Sequence, residues 1–285
     1  MRARLPQRIV LPEVASQVQA LDIPFNRYGL DRYGISREHV ALFFSLLGWF
    51  YRHYFKVSVY GIEHVPDRGR TMLVGNHSGG FAVDGAMVIT SLILDKHPPR
   101  LALGMAEKFL GRWPIFAPWL SRVGQLTGLP EHAKQFLLDD RVLLVFPEGA
   151  RGTAKLYWQR YDLVRFGTGF MRLALETGTP IVPLAFIGGG EVLPTIYNAR
   201  TLGRLLGAPY VPVTPYLLAI PRPRPCHIHY GEPMVFDGDG TESDDVIEGY
   251  VAQVRSRIEE LTAEGRAFRR ERRFGRGGSA GGETS

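Results

Sequence analysis

Short apolar runs alternate with amphipathic stretches over most of the chain from residue 71 onward. The runs of strand length lie at 71–74, 100–103, 142–146, 181–186 and 226–230. Apolar residues recur at helical spacing over 85–94, 114–122, 131–138, 169–177 and 243–264. Strands that alternate with helices form sheets that are covered by those helices. The pattern therefore predicts an α/β fold with a mixed, mostly parallel sheet flanked by helices.

The most apolar stretch of the chain precedes this pattern, at residues 40–51 (VALFFSLLGWFY). Ser36 is of a type that caps helix N-termini, and Ile35 is placed to pack against Val40. A membrane-spanning helix needs about 20 apolar residues, so this run is too short to span a bilayer. It predicts an N-terminal apolar helix that either covers the core of the protein or lies in the membrane interface.

These patterns divide the chain into three regions. Residues 1–56 are predicted to form an N-terminal arm, irregular over 1–35, followed by the apolar helix as a membrane-contacting element. Residues 57–264 form the α/β domain. After Gly265 the sequence RAFRRERRFGRGGSAGGETS has too few apolar residues to bury a core. Residues 265–285 are therefore predicted to be a basic, disordered tail.

The net charge of the chain indicates what kind of molecule it binds. The chain carries 34 Lys and Arg against 28 Asp and Glu, a formal net charge of +6. Such an excess attracts the phosphates of nucleic acids, anionic lipids or soluble substrates. The arginine-rich C-terminus has no nucleic-acid recognition fold beside it, so we expect no nucleic-acid partner. Anionic lipid headgroups fit the rest of the sequence better.

Cys226 is the only cysteine, which excludes an intramolecular disulfide and favours a reducing compartment. With His227 and His229 it forms a group of residue types that bind zinc, but no fourth ligand stands at zinc-finger spacing. A strand explains the same residues. We therefore expect no metal site, and no cofactor is predicted.

The first stretch with chemical content is VGNHSGGFAVDG, residues 74–85, where a strand runs into a loop. Loops at the carboxyl ends of strands are where α/β proteins place their chemistry. A neutral histidine accepts a proton through one ring nitrogen, while a carboxylate bound at the other nitrogen fixes the tautomer. His77 and Asp84 are thus either a catalytic base with its orienting acid, or a structural histidine with a helix cap.

The second stretch is LLVFPEGARG, residues 143–152. Gly149 permits a tight turn that leaves Glu148 and Arg151 side by side after the strand. The guanidinium fork matches phosphate oxygens, and the carboxylate can hold that fork in place. The alternative is a surface ion pair. Further positive charge follows at Lys155, Arg160 and Arg165.

Three segments together carry a resemblance to a known family. VYGIEHVPDRGRTMLVGNHS, VFPEGARG and RFGTGFMRLALETGTPIVPLAFIG occur in this order. They resemble the phospholipid/glycerol acyltransferase family, which includes the lysophosphatidic acid acyltransferases. The segment GFMRLALETGTPIVPLAFIGGGE is similar to its mono- and diacylglycerol acyltransferase-like members. The resemblance covers roughly residues 57–235, and three motifs are far more specific than one.

The resemblance implies a glycerolipid acyltransferase-like fold and a reaction without bound metal. In that reaction His77, oriented by Asp84, removes the proton of a glycerol hydroxyl. The hydroxyl then attacks the thioester of acyl-CoA or acyl-carrier protein, which serves as co-substrate. The residues that the resemblance assigns to substrate binding are Asn76, Glu148, Gly149 and Arg151. The implied partners are a membrane lipid and the acyl thioester, at the cytoplasmic face of a membrane with peripheral attachment.

One departure from the family bears on catalysis. The family separates the histidine and the acid by four residues, but Ala82 stands at that position and the acid is Asp84. Gly79 and Gly80 permit a bulge that brings Asp84 back to the imidazole. Two hypotheses follow. Either the chain is an active acyltransferase, or it is a lipid-binding relative that has lost catalysis.

Two further departures concern the acceptor. Ala150 replaces the usual threonine, and residues 124–128 (GQLTG) lack the arginine that many relatives use for substrate phosphate. The resemblance implies lysophosphatidic acid or an acylglycerol as the acceptor, and the missing arginine favours a neutral acylglycerol or a glycolipid. Because His77, Glu148 and Arg151 each follow a predicted strand, we expect them to share one cleft.

Overall fold

Seven strands form one sheet in the computed structural model of the protein, which describes residues 10–78, 83–106, 116–127, 130–205, 207–217 and 220–275. In chain order, the nine strands of the described residues are β1 Ser58–Tyr60, β2 Thr71–Gly75, β3 Ala102–Ala106, β4 Gln125–Thr127, β5 Val142–Val145, β6 Ile181–Ile187, β7 Tyr197–Ala199, β8 Val211–Val213 and β9 His227–Tyr230. The sheet order is β1-β9-β6-β2-β5-β3-β4, and β7 and β8 form a separate antiparallel pair.

The sheet is mostly parallel: among the strands of the described residues, β6–β9 is the one antiparallel pair within it. All five strands predicted from the sequence are confirmed, as is the mixed α/β fold. The strands that the sequence did not predict (β1, β4, β7 and β8) have three residues each. A run that short carries too little periodicity to be recognised.

Helices cover the sheet and the N-terminal side of the domain. They are α1 Pro12–Gln19, α2 Arg37–Trp49, α3 Val83–Leu94, α4 Phe116–Arg122, α5 Pro130–Leu138, α6 Ala150–Thr153, α7 Gly169–Thr177, α8 Gly189–Val192, α9 Arg200–Leu205 and α10 Asp244–Gly275. A π-helical turn, Phe50–Tyr54, continues α2. The five helices predicted after residue 71 are confirmed, although 114–115 lie outside the described residues.

The N-terminal arm is more ordered than its sequence predicted. Residues 12–19 form α1, whose Val14 and Val18 are buried. Asp31, also buried, accepts a hydrogen bond from Arg141 at 3.3 Å and so ties the arm to the sheet domain. The prediction of an irregular arm is therefore wrong over α1, because its two apolar positions one turn apart pack against α2 and α3.

The apolar helix α2 begins as predicted, with the Ser36 hydroxyl accepting from the His39 backbone N–H. Its inner face, with Val40 and Phe44, is fully buried. Its outer face leaves Leu46 56% and Trp49 51% exposed. One face thus covers the core while the other presents large apolar side chains to solvent. Across the described residues, every helix is too short or too polar to cross a bilayer.

The C-terminal region departs from its prediction. The helix predicted to end near 264 continues to Gly275, so a disordered tail beginning at 265 is wrong for 265–275, and 276–285 lie outside the described residues. At Gly265, α10 packs closely against β6 and β9, since a Cβ there would collide with Ile187 and His229. Arg269 then bonds both oxygens of Glu191, at 2.9 and 2.5 Å. These tertiary contacts stabilise the polar part of α10 after Gly265, which would be only marginally stable as an isolated helix.

Candidate active site

The carboxyl ends of three neighbouring strands meet at one edge of the sheet. Strand β2 pairs in parallel with both β5 and β6, so the loops that follow these strands lie side by side. His77 stands two residues after β2, Glu148 three residues after β5, and Gly189 two residues after β6. This edge therefore collects the three sequence motifs into one site.

The central contact of the site joins His77 and Asp84. The His77 Nδ1 atom lies 2.7 Å from Asp84 Oδ2, and both side chains are buried. Asp84 occupies the first turn of α3, which carries it to the end of β2. The prediction that Asp84 can meet His77 is confirmed. The predicted bulge at Gly79 and Gly80 lies outside the described residues.

Asp84 is held as an anion. Its Oδ2 accepts hydrogen bonds from the Ser78 backbone N–H at 2.7 Å and the Ser78 hydroxyl at 2.9 Å, and its Oδ1 accepts from the Gly85 N–H. Burial by itself raises the pKa of Asp84, but the charge and hydrogen bond of His77 and the backbone donors outweigh it. The pKa of Asp84 therefore lies below its usual range.

The geometry sets the tautomer of the imidazole. An ionised Asp84 only accepts hydrogen bonds, so Nδ1 of His77 carries a hydrogen, and in the neutral form of the ring Nε2 has the free lone pair. No described residue bonds Nε2, and the ring keeps 8% of its surface exposed. Phe146 stacks on the ring, with centroids 4.4 Å apart. The histidine is thus arranged to accept a proton from a molecule that reaches Nε2.

A buried ion pair fixes the backbone of His77. Glu148 Oε1 accepts from the His77 N–H at 2.8 Å, and Lys155 Nζ donates to the His77 carbonyl oxygen at 2.8 Å. Lys155 and Glu148 are bonded to each other at 2.6 Å, with side chains 1% and 0% exposed. Burial outweighs the attraction of Glu148 and lowers the pKa of Lys155. The charged form of Lys155 therefore depends on the Glu148 carboxylate.

This arrangement corrects the expected role of Glu148. Its second oxygen accepts from the Val164 N–H at 2.9 Å, so the whole carboxylate is used within the protein. The predicted pairing of Glu148 with Arg151 is wrong: the carboxylate turns inward to Lys155, and α6 carries Arg151 to the surface. Lys155 was seen in the sequence only as added positive charge, because seven residues of separation carry no recognisable motif.

The other predicted binding residues take different positions. The Asn76 side chain is buried and exchanges two hydrogen bonds with the Phe186 backbone, at 2.7 and 3.1 Å, which joins the ends of β2 and β6. Gly149 has φ +56°, a conformation that favours glycine. The exposed Arg151 donates to the Arg165 carbonyl oxygen at 3.2 Å. Gly152, the next residue, packs against His77, so Arg151 lies at the rim of the site.

Metal-ligand residue types do not gather near this site. Within the described segments, no three His, Cys, Asp or Glu residues stand close enough to hold a metal ion. His227 and His229 lie in β9, as the strand interpretation predicted, and Cys226 is buried directly before it.

The chain is similar to several known proteins. A family model described as "Acyltransferase" matches residues 56–187. An uncharacterized protein of Mycobacterium tuberculosis is 33% identical over 260 residues, which cover 87% of this chain and 72% of that protein. An uncharacterized protein of Mycobacterium leprae is 33% identical over 261 residues, covering 87% and 71%.

One solved structure shares the fold. The 1-acyl-sn-glycerophosphate (LPA) acyltransferase PlsC from Thermotoga maritima superposes with a TM-score of 0.54 at 16% sequence identity. The match covers 81% of this chain and 82% of that chain.

Proposed function

This chain belongs to the acyltransferase family, and we propose that it transfers a fatty acyl group from a thioester to a hydroxyl of a glycerolipid. In this proposal His77 is the general base and Asp84 orients it. The donor is acyl-CoA or acyl-carrier protein, and the acceptor is lysophosphatidic acid or an acylglycerol. No metal or other cofactor takes part.

The 2.7 Å contact between His77 Nδ1 and Asp84 Oδ2 is the observation that carries the proposal. It orients a buried imidazole with Nε2 directed to an incoming molecule. The sequence left open a lipid-binding relative whose histidine and acid had separated. A bonded pair, held by a further network on the backbone of His77, favours the enzyme over that alternative.

The first chemical step is proton removal coupled to attack. Nε2 of His77 takes the proton of the acceptor hydroxyl while the hydroxyl oxygen bonds to the thioester carbonyl carbon. The carbonyl π electrons move to oxygen and form a tetrahedral intermediate. The imidazolium that results is stabilised by Asp84, whose low pKa keeps the carboxylate ionised.

The second step releases the products. The carbonyl re-forms, the carbon–sulfur bond breaks with its electron pair on sulfur, and His77 returns its proton to the departing thiolate. The products are an ester and a free thiol, and the base is regenerated. The cycle needs only the two substrates and one histidine that alternates between neutral and charged forms.

The acceptor is contacted by side chains at the rim of the site. Arg151 is exposed and makes no salt bridge with a described carboxylate, so its guanidinium is available to a phosphorylated acceptor. Asn76 and Glu148 act instead as positioning residues, because their polar atoms are already bonded to Phe186, Lys155 and the backbone of the site. Lysophosphatidic acid and neutral acylglycerols are both acceptors to be tested.

A panel of acceptors tests the function directly. Purified protein receives radiolabelled acyl-CoA or acyl-carrier protein with lysophosphatidic acid, monoacylglycerol, diacylglycerol or a glycolipid. We expect labelled ester in at least one glycerolipid product, with His77→Ala protein from the same preparation as the blank. Thioester hydrolysis without ester formation on any glycerolipid would refute the proposal.

We also propose peripheral attachment to the cytoplasmic face of a membrane through the outer face of α2. Leu46 and Trp49 are exposed there, and Phe50 and Tyr54 of the following turn are partly exposed beside them. Tryptophan and tyrosine favour the headgroup boundary. An apolar face beside solvent gains free energy when the interface covers it.

Replacing both outer side chains tests this attachment. The Leu46→Gln/Trp49→Gln variant should bind vesicles roughly tenfold more weakly or worse, because two large apolar contacts are lost. Co-sedimentation with phospholipid vesicles measures the change. Leu138→Gln changes a leucine of α5 that is 44% exposed; it is the control and should bind normally. Equal binding by all three proteins would show that α2 does not make the contact.

A further inference from the structure

A concave surface lies at the same edge of the sheet as His77, on the side of β9 and β1. Its cavity has a volume of about 810 Å³. Strand β9 runs antiparallel to β6, so its first residue, His227, stands near the carboxyl end of β6. Its lining residues are Lys56, Ser58, Arg160, Tyr161, Glu191, Arg224, Pro225, His227, Arg266, Arg269, Arg270 and Arg272. We call it the arginine cavity.

The arginine cavity carries a large excess of positive charge. Arg269 is neutralised by its bidentate bond to Glu191. None of the other lining cations forms a salt bridge with any carboxylate in the described segments of the chain. These six are Lys56, Arg160, Arg224, Arg266, Arg270 and Arg272. They converge from the turn after α2, the loops before α7 and β9, and α10, so the tertiary structure gathers repelling charges that an anion would neutralise.

Aromatic and acidic side chains contact several of the lining arginines. The Arg160 guanidinium stacks over Tyr157 at 4.1 Å, and that of Arg266 stacks over Tyr161 at 4.4 Å. The Tyr161 hydroxyl donates to Glu191 at 2.9 Å. Contact with an aromatic ring restricts the position of each guanidinium group. The cations are therefore positioned before any ligand arrives.

Two buried nitrogens of the lining have no hydrogen-bond partner among the described residues. They are Arg160 Nε and His227 Nδ1. His227 is only 7% exposed, and burial together with the nearby arginines lowers its pKa to about 4, so the ring is neutral. Buried polar atoms without a partner are uncommon in folded proteins.

A short glycine segment, Gly188–Gly190, lies between the arginine cavity and the His77 site. Gly189 packs so closely against Ser78, the neighbour of His77, that a Cβ would collide with its hydroxyl. Gly190 packs equally closely against Arg160 on the cavity side. The Gly188–Gly190 segment thus forms a thin wall between a cationic cavity and a catalytic base. The His77 site and the arginine cavity are therefore neighbours, joined through Gly189 and Gly190.

We propose that the arginine cavity binds the phosphate groups of the acyl donor, which makes the donor acyl-CoA rather than acyl-carrier protein. The inference rests on the proposed acyl transfer. Acyl-CoA carries a pyrophosphate and a 3′-phosphate at the end remote from its thioester, which matches a cluster of cations that lies beside the His77 site but outside it. A cavity of about 810 Å³ is of the size that encloses a small molecule. A carrier protein needs a broad contact surface of about 800 Å² instead.

Calorimetric titration with CoA tests the assignment. Wild-type protein should bind CoA, and dephospho-CoA, which lacks the 3′-phosphate, should bind more weakly. Arg266→Gln/Arg270→Gln should weaken CoA binding roughly tenfold or more, because bonds to charged groups are lost. Lys56→Gln, on a separate element, should weaken it in the same direction. Arg204→Gln, an exposed arginine on α9, is the matched control and should bind normally.

The outcomes separate this inference from the proposed function. CoA binding by His77→Ala protein that transfers no acyl group supports the cavity independently of catalysis. Acyl transfer from carrier protein by a wild type that does not bind CoA overturns the cavity assignment and leaves the proposed function standing. Equal loss of CoA binding in Arg204→Gln, or binding only of anionic phosphatidylglycerol vesicles, also overturns the assignment.

Discussion

His77→Ala is expected to lower the rate of acyl transfer by roughly 10²–10⁴-fold, the usual contribution of general-base catalysis. The fold should persist, because the side chain of His77 contacts Phe146 and Asp84 at the edge of the sheet, outside its apolar layer. Initial rates with the acceptor identified by the panel measure the loss. Thermal melts of both proteins provide the fold control.

Asp84→Asn should lose activity on the same scale. The amide keeps the shape of the carboxylate and can still accept from Ser78, but it cannot stabilise the imidazolium. It also offers its own N–H to Nδ1, which favours the wrong tautomer of His77. Since both residues act as one unit, the double variant should be little worse than the worse single variant.

Two results would contradict the paired mechanism. Normal activity in Asp84→Asn would show that the acid only caps α3. Losses that multiply in the double variant would show that His77 and Asp84 act independently, however important each residue is.

The second large effect is expected on stability. Lys155→Met should lower the free energy of unfolding by ~3–5 kcal/mol, because it leaves the Glu148 carboxylate buried without its cation. Urea denaturation measures the change. Lys134→Met is the matched control, since the Lys134–Glu176 pair is 43% and 47% exposed. That exposed pair should contribute about 1 kcal/mol or less.

A double-variant cycle identifies the cause of this loss. Glu148→Gln/Lys155→Met should cost less than the sum of its single changes, because neither charge is then left alone. Acyl transfer should fall as well, since the pair holds both backbone groups of His77. An effect of Lys155→Met no larger than that of the Lys134 control would show that the pair does not stabilise the site.

The sequence predicted much of the fold because the relevant signals are local. Five strands and five helices were readable from periodicity, and the Ser36 cap from a residue type beside an apolar run. His77 and Asp84 could be selected because they follow a strand and precede a helix. Elements as short as three residues, and α1 in the arm, were missed because their stability comes from packing on distant segments.

The sequence by itself determined the α/β fold and the order of its motifs, and it selected His77 and Asp84 as the candidate base and acid. Only the tertiary structure decided that Asp84 reaches His77 across an unusual spacing, that Glu148 pairs with Lys155, and that α10 continues past Gly265. It also gathered the arginine cavity from separated segments. Periodicity depends on neighbours along the chain, whereas ion pairing and burial depend on which segments the sheet brings together in space.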